Sequence, residues 1–464
     1  MPRGTRAALL VAIALAGAGS GRAQTPDSTP QAYACGPKHQ VRAVGEAMAV
    51  NVAVNRWDAW GRGQPWADVG PSSWSSNIRL GWEWDENEFG TNMFSHPFHG
   101  SLYFNAGRDN CLGFWESAPL AFLGSWTWEY LGERFRPALN DFFMTSFGGI
   151  GLGETFHRVA ATIRDNRARG GARVWREIGA MVVDPVGGLN RLLRGEWSRL
   201  GPNPPEHDFG AFYFRFHVGG RFVGDSGSLR HASGAGTVIT DLGYGDPFAR
   251  PFERPFDNFS VRLQLTPGGG GLNLLQAAGR LYQHELTKPD ARSRQLFVVN
   301  QRYEYVNNPA YKFGGQSVEA GIESRWRLSH GETHLRAKVA ADAIVLGAID
   351  APFAGVGERT YDFGPGVGLT ASLVLERHQV NLIEWYNRLE YVHSVSGAQA
   401  DHYVAFTGLE GTLTIARGMG IGVCLSTYAR ASRYTDKPPE NREFPELRVF
   451  FTWTTAREAG VVRP

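Results

Sequence analysis

His96, His99, Glu116, Glu129, Glu133, Asp141, Glu154 and His157 stand among Trp, Phe and Leu between Trp82 and Arg158. An ionisable group is costly to bury unless it is paired, so these side chains imply a polar network inside a packed helical unit. One chemistry they could support is metal binding. Glu154-x-x-His157 has the spacing of carboxylate-bridged metal sites in helical bundles, and Glu129 and Glu133 lie one turn apart on a neighbouring helix. Such sites use two Glu-x-x-His pairs and one is visible here, which makes Glu129, Glu133, Glu154 and His157 the metal candidates. A second chemistry is hydrolysis or acyl transfer. His96 or His99 would be the base, Ser101, Ser117 or Ser125 the nucleophile and an acid the orienting group, although no nucleophile-elbow signature accompanies them. A third reading needs no reaction: Arg108, Arg134 and Arg158 pair with the acids, and the satisfied network specifies a unique packing. No cofactor is expected.

Motifs in this stretch come in a fixed order: HPFHGSLYFNAGRDN, then WES, then SWTWEYLGE, then ND followed by GGIGLGETFHR. Over residues 82 to 158 the chain resembles, on these motifs, a family of bacterial envelope proteins known only as a domain of unknown function. The resemblance implies an envelope location and brings no activity with it.

The elements that must position these residues divide in two. With 464 residues the chain suggests about two structural units. A formal charge of +2 implies no polyanion partner, and the interspersed acids and bases leave nucleic-acid binding unsupported. Aromatics at 12% and 58 Gly beside an ordinary hydrophobic fraction fit antiparallel barrel strands with alternating faces. At the start, Arg3 and Arg6, the apolar AALLVAIALAGAGS and the small-x-small Gly21-Arg22-Ala23 read as an export signal over 1–23, with maturation at Gln24. Cys35 lies too far on to accept a lipid. Nothing in the spacing of Cys35, Cys111 and Cys424 selects a disulfide or a metal site, so thiols are expected. Past the signal there is no apolar run of the ~20 residues a spanning helix needs. The exported chain is therefore either soluble or a closed barrel.

Residues 24–40 read as a loose linker and 41–204 as the helical domain. VRAVGEAMAVNVAVNRWDAW suits a helix packed on one face, with a strand as the alternative, and GRGQPWADVGPSSWSS reads as a turn. Pro119 is expected to break or kink the next helix, and Asn140 or Asp141 to cap one. Glu154 and His157 share a helix face, and a further helix halts near Pro185. GPNPPEHD marks the end of this unit.

From 205 to 464 the spacing changes to strict alternation. Phe212, Phe214, Phe216 and Val218 oppose Tyr213, Arg215 and His217, and Phe259, Val261, Leu263 and Leu265 oppose Ser260, Arg262, Gln264 and Thr266. Leu335, Ala337, Val339 and Ala341 oppose Arg336, Lys338 and Asp342 in the same way, while Val318, Ile322 and Trp326 oppose Glu319, Glu323, Arg325 and Arg327. About twelve such segments, several longer than ten residues, predict an antiparallel transmembrane β-barrel with its apolar face turned to lipid. The fold class is thus α+β, a helical unit followed by the barrel. GET at 331 and Arg377-His378 look like short connections, and GDPFARPFERPFD and APFAGVGERT like long ones. TPGGGG is a hairpin loop and not a phosphate cradle. Trp385, Tyr386 and Tyr391 suit an interfacial girdle. ELRVFFTWTTA resembles a closing barrel strand, although the chain runs on through REAGVVRP. The charged face, with Glu384, Arg388 and Glu390, either lines a pore or forms a polar interior filled by side chains and the helical unit.

Two functions follow as expectations. One is a non-enzymatic outer-membrane barrel for membrane organisation or for passage of a lipid or small solute, with outer-membrane lipid and the barrel-assembly machinery as partners. The other is a membrane-embedded lipid-modifying enzyme, a hydrolase or acyltransferase, using the His/Glu cluster. A structural cluster would be sealed by Trp84, Trp115, Trp126 and Trp128. Neither reading fixes the oligomeric state.

Overall fold

A computed structural model describes residues 35–204, 212–248, 251–267, 271–288, 292–328, 333–353, 359–377, 380–416 and 418–457. The export signal, the linker up to residue 34, the boundary at 205, half of TPGGGG, the first two residues of GET at 331, His378 and the end after Arg457 lie outside them. The described residues fall into two compact units, one within residues 9–209 and one within 210–464. Among them no helix is long and apolar enough to cross a membrane.

The first unit is helical. Helix α1 (Gln40–Arg56) buries Ala43, Ala47, Asn51 and Asn55, a four-residue repeat that makes the segment a helix packed on one stripe. Asn51 donates to the Gly124 carbonyl at 3.1 Å and Asn55 to that of Gly132 at 2.9 Å. Helix α2 (Pro71–Leu80) occupies the stretch expected to be a turn. Its Pro, Gly and Ser residues instead start a helix: Pro71 takes the first helical position and Ser73 Oγ accepts from the Gly70 N–H at 3.0 Å. Helices α3 (His96–Asp109) and α4 (Phe114–Thr127) follow. Pro119 does not break α4, because a proline in the second turn removes a single backbone bond. Helix α5 (Leu139–Phe143) begins before Asn140 and Asp141, so neither is its cap. Helices α6 (Gly149–Ile163), α7 (Gly170–Val183) and α8 (Pro185–Leu193) complete the unit.

Helices α3 and α6 meet backbone to backbone. A Cβ on Gly100 would lie 1.8 Å from the Thr145 carbonyl oxygen, and one on Gly149 would lie 2.4 Å from the Gly100 carbonyl carbon. This glycine-only approach draws the start of α3 against the turn before α6.

Cys35 and Cys111 form a disulfide across 76 residues, while Cys424 is a buried thiol. This corrects the expectation of thiols throughout. Spacing could not reveal the pair, because the packing of α1 along α3 brings the two cysteines together, with the His39 N–H on the Asn110 carbonyl at 3.0 Å. Closing a loop of this length stabilises by about 4 kcal/mol. Reduction, or Cys35→Ser, should therefore lower the denaturant midpoint of the helical unit's Trp fluorescence; an unchanged midpoint would rule the bond out as a stabilising link.

The second unit is a closed antiparallel barrel. Its strands are β1 (Phe212–Asp225), β2 (Ser228–Tyr244), β3 (Phe259–Thr266), β4 (Gly271–Glu285), β5 (Ser293–Asn307) and β6 (Lys312–Arg327). They continue with β7 (Thr333–Asp350), β8 (Tyr361–Arg377), β9 (Val380–His393), β10 (Ala400–Ala416), β11 (Met419–Tyr434) and β12 (Glu440–Arg457). Every strand pairs with its sequence neighbours, and β12 closes on β1, with Phe216 opposite Trp453 and Phe222 opposite Leu447. Closure leaves no strand edge unpaired.

Alternation sorts the two faces. Val218, Ile322, Val339, Leu369, Leu389, Leu409, Ile421, Val423 and Phe451 are exposed on the outside, while Arg215, Glu319, Asp342, Arg388, Glu390, Glu410 and Arg448 are buried on the inside. Tyr386 departs from the expected girdle. Its period-two position puts it in the lumen, where its hydroxyl accepts from Arg448 at 3.2 Å. The connections do not alternate short and long by end either: the β2–β3 connection, which holds GDPFARPFERPFD, shares an end with the short β6–β7 and β8–β9 connections.

Candidate functional site

The sequence candidates go to three separate places in the helical unit. His96, Glu129 and Asp141 are buried together, with donor atoms all within 4.8 Å of one another. His96 Nε2 lies 3.2 Å from Asp141 Oδ2, and its Nδ1 lies 3.2 Å from the Thr145 hydroxyl. Glu129 Oε2 accepts from the Ala138 N–H at 2.8 Å, and Asp141 Oδ1 accepts from Asn140 at 2.7 Å. Half-buried residues adjoin them. Asp85 takes bonds from Asn92 at 2.7 Å and Asn140 at 2.5 Å, Glu133 accepts from the Trp128 indole at 2.7 Å, and His99 Nε2 is 2.9 Å from the Tyr103 hydroxyl.

Three π-turns frame this cluster. Thr91–Ser95 leads into His96, Trp128–Gly132 carries Glu129, and Met144–Gly148 carries Thr145. Such widened turns concentrate at functional sites, because each re-aims side chains at the expense of regular helical bonding.

The electrostatics are those of acids crowded out of water. Burial pulls His96 down to about 4 against the opposing Asp85 carboxylate, and burial with the neighbouring His96 pulls His99 to about 3. Burial, reinforced by Glu133, pushes Glu129 well above the usual carboxylate range; burial and then Asp85, Glu129 and Glu133 do the same to Asp141. Burial also raises Glu133 to about 7, against the indole bond that favours its charge. Both imidazoles are thus neutral, the form that ligates metal.

Glu154 and His157 do not join Glu129 and Glu133. Glu154 sits between two guanidinium groups, Arg108 Nε at 2.8 Å and Arg158 Nε at 2.7 Å. Burial would raise its carboxyl, but these cations hold it below the usual range. His157 Nδ1 is 3.8 Å from both Asp109 and Asp184. Asp184 in turn caps α8 through the Gly187 N–H at 3.0 Å and accepts from Asn105 at 3.1 Å. One helical turn does put Glu154 and His157 on adjoining faces, but α3 meets them with Arg108 and Asp109 and divides them. Glu116 is a surface group held by Lys38 at 2.7 Å and the Gly113 N–H at 2.8 Å, which keep its carboxyl low.

The other companions sort themselves similarly. Arg134 is exposed, so Arg108 and Arg158 alone of the three arginines pair with the buried acids. Ser101 donates to the Phe98 carbonyl at 2.6 Å and Ser125 to that of Phe142 at 3.4 Å. Among the described residues neither they nor Ser117 bonds to His96 or His99, so the expected serine–histidine pair is not formed; the hydroxyls on these imidazoles are those of Thr145 and Tyr103. Of the four tryptophans expected to seal the cluster, Trp128 packs on His99 with ring centroids 4.8 Å apart, whereas Trp115 and Trp126 are exposed. Sequence reasoning missed Asp85, Thr145 and Asn140. The Asp within WEWDEN, an acid directly after two tryptophans, was the available signal.

The barrel lumen is the second candidate. At the end where β1 begins, a cavity of about 820 Å³ is lined by Arg215, Asp241, Arg262, Arg336, Lys338 and Glu384 among others. Deeper in, ion pairs cross between strands that are not neighbours. Arg388 on β9 pairs with Glu304 on β5, Arg215 on β1 reaches Glu384 on β9 at 3.3 Å, and Arg302 on β5 reaches Asp342 on β7 at 3.2 Å. Toward the opposite end an apolar layer joins the charges, which continue there as His402 with Asp362 at 3.1 Å and Arg430 with Asp350 at 3.0 Å. Tyr311, Phe313, Ile344, Val392, Val404 and Tyr428 form a buried cluster there, with Phe406 and Phe444 against it. Phe406 stacks on Tyr428 at 4.4 Å. The lumen is therefore a charged vestibule leading to a hydrophobic plug that is flanked by further ion pairs.

Residues 81–186, which contain all the motifs above, match the family model described as Domain of unknown function (DUF3943). No curated protein matches the chain. Solved structures similar to it include a KdgM porin, at 10% identity over 51% of this chain and 98% of that one, with a TM-score of 0.23. Others are the Pseudomonas putida toluene transporter TodX, at 6% identity over 53% and 89% with a TM-score of 0.23, and Pseudomonas aeruginosa OccK10 (OpdN), at 10% over 54% and 99% with a TM-score of 0.20.

Proposed function

We propose that the barrel sits in the bacterial outer membrane and passes a small polar solute through a lumen that is closed at rest. The observation that carries this reading is the division of its faces: exposed Leu, Ile, Val and Phe outside, paired charges and a vestibule inside. In a hydrocarbon layer every backbone group must be satisfied within the protein, and a closed barrel with an apolar exterior meets that demand. Outer-membrane lipid and the barrel-assembly machinery are the partners this reading brings with it. A charged interior favours a hydrophilic cargo over a lipid. The lipid-modifying alternative has less support, since no serine stands on His96 or His99 among the described residues.

The test is solute flux from liposomes carrying the full chain, native or Arg388→Gln. Removing Arg388 breaks the pair to Glu304 across the lumen while keeping a polar side chain. Flux of a small charged solute should rise in the variant. Two inserted, folded proteins that both leave the liposomes as tight as empty ones would argue against passage.

A further inference from the structure

We propose that His96, Glu129 and Asp141 bind a divalent first-row metal ion inside the helical unit, with Asp85 and Glu133 as neighbouring carboxylates. The first ground is geometry. The three donor atoms, drawn from three separate elements, lie within 4.8 Å of one another. Metal–donor bonds of about 2.0–2.2 Å bring ligand atoms slightly closer than that, so a small inward movement of the side chains would complete the shell.

The second ground is orientation. The outward atom of each ligand is already held: His96 Nδ1 by Thr145, Glu129 Oε2 by the Ala138 N–H, Asp141 Oδ1 by Asn140. His96 Nε2 and Asp141 Oδ2 are left facing one another. Outer partners of this kind fix the imidazole tautomer and aim the carboxylates in metal sites.

The third ground is charge, and it separates this cluster from the rest of the unit. Buried Glu154 has Arg108 and Arg158, buried Glu177 has Arg173 and Arg191, buried Asp184 has Arg164, and buried Asp58 has Arg62. Among the described residues no lysine or arginine forms an ion pair with Glu129 or Asp141. A chain that supplies a cation to its other buried acids and none here has left the position to a cation it does not encode. One imidazole with several carboxylate oxygens suits Mn²⁺, Fe²⁺ or Zn²⁺ better than a thiolate-seeking ion. The cluster Asp109, His157 and Asp184 has similar spacing, but there the chain supplies its own cation, Arg164, 3.5 Å from Asp184 Oδ2.

The experiment uses the full chain in detergent, stripped with a chelator and titrated with Mn²⁺ and with Zn²⁺, while melting of the helical unit is followed by Trp fluorescence. Wild type should take up about one equivalent per chain and melt higher when loaded. Asp141→Asn keeps the shape and removes a charge, so its metal-free form should melt no lower than wild type. Its metal affinity should fall by at least about tenfold, and the metal-induced rise in melting should disappear. Glu129→Gln is the second variant should Asp141→Asn misfold, and Asp109→Asn should bind like wild type. Absence of uptake by wild type, or uptake that survives both Asp141→Asn and Glu129→Gln in folded protein, would overturn the proposal.

Discussion

Replacing Phe313 and Tyr428 together by Ala should convert a barrel that holds ions back into one that conducts them. Both rings belong to the apolar cluster that lies in the lumen away from the chain's entry into β1. Phe313 lies beside Gly315 and Gly347, where an added Cβ would come within 2.9 and 3.3 Å of its ring, and Tyr428 stacks on Phe406 and meets Tyr311 edge to face. An apolar constriction blocks ions by excluding water, so taking away two of its rings lets water through, and conductance across a planar bilayer should rise by at least about tenfold. The cost in stability is about 3–5 kcal/mol for each deleted ring, but the inter-strand hydrogen bonds that hold the barrel do not depend on them. Leu389→Ala, on the exposed outer face, is the matched control and should leave conductance unchanged. An inserted double variant as silent as wild type would mean that the lumen is blocked elsewhere or is not a route at all.

Glu154→Ala should destabilise the helical unit by about 3–5 kcal/mol, because it leaves the guanidinium groups of Arg108 and Arg158 buried without their counter-charge. Glu154→Gln, which keeps the shape and loses the charge, should lie between the two. The diagnostic step is the compensated variant: replacing Glu154, Arg108 and Arg158 together by apolar residues of similar volume should recover most of the loss, since uncompensated charge and not the cavity dominates it. Denaturant midpoints of the three proteins, read by Trp fluorescence, provide the check. A Glu154→Ala protein as stable as wild type would place these arginines in water.

These two experiments bear on parts of the molecule that differ in how readable they were. The strands were legible because their period is two and their inner face is charged, so residues such as Glu319 and Val318 could be assigned to opposite sides without any knowledge of the partner strand. The plug was not. Phe313, Val392, Val404 and Tyr428 lie on the charged face, and in a linear reading four apolar residues on four strands look like lapses in alternation. Only closure of β4 to β11 around one axis makes them a single layer. The disulfide was hidden for the same reason, since its two cysteines are neighbours only because α1 lies along α3.

In the helical unit the sequence determined which residue types would be buried: acids and histidines at short helical spacings among aromatics demand compensation wherever they end up. It also determined that the second half would present one apolar and one ionic face. Which acid met which cation was decided in three dimensions. Arg108 comes from α3 to Glu154, Asp109 comes from the same helix to His157, and Glu129, carried on a π-turn, is brought to His96 and Asp141 instead. Local spacing sets the direction in which a side chain leaves its own helix. The identity of what it meets depends on crossings such as Gly100 on Gly149, which are set by the packing of distant segments and leave no periodic trace in the chain.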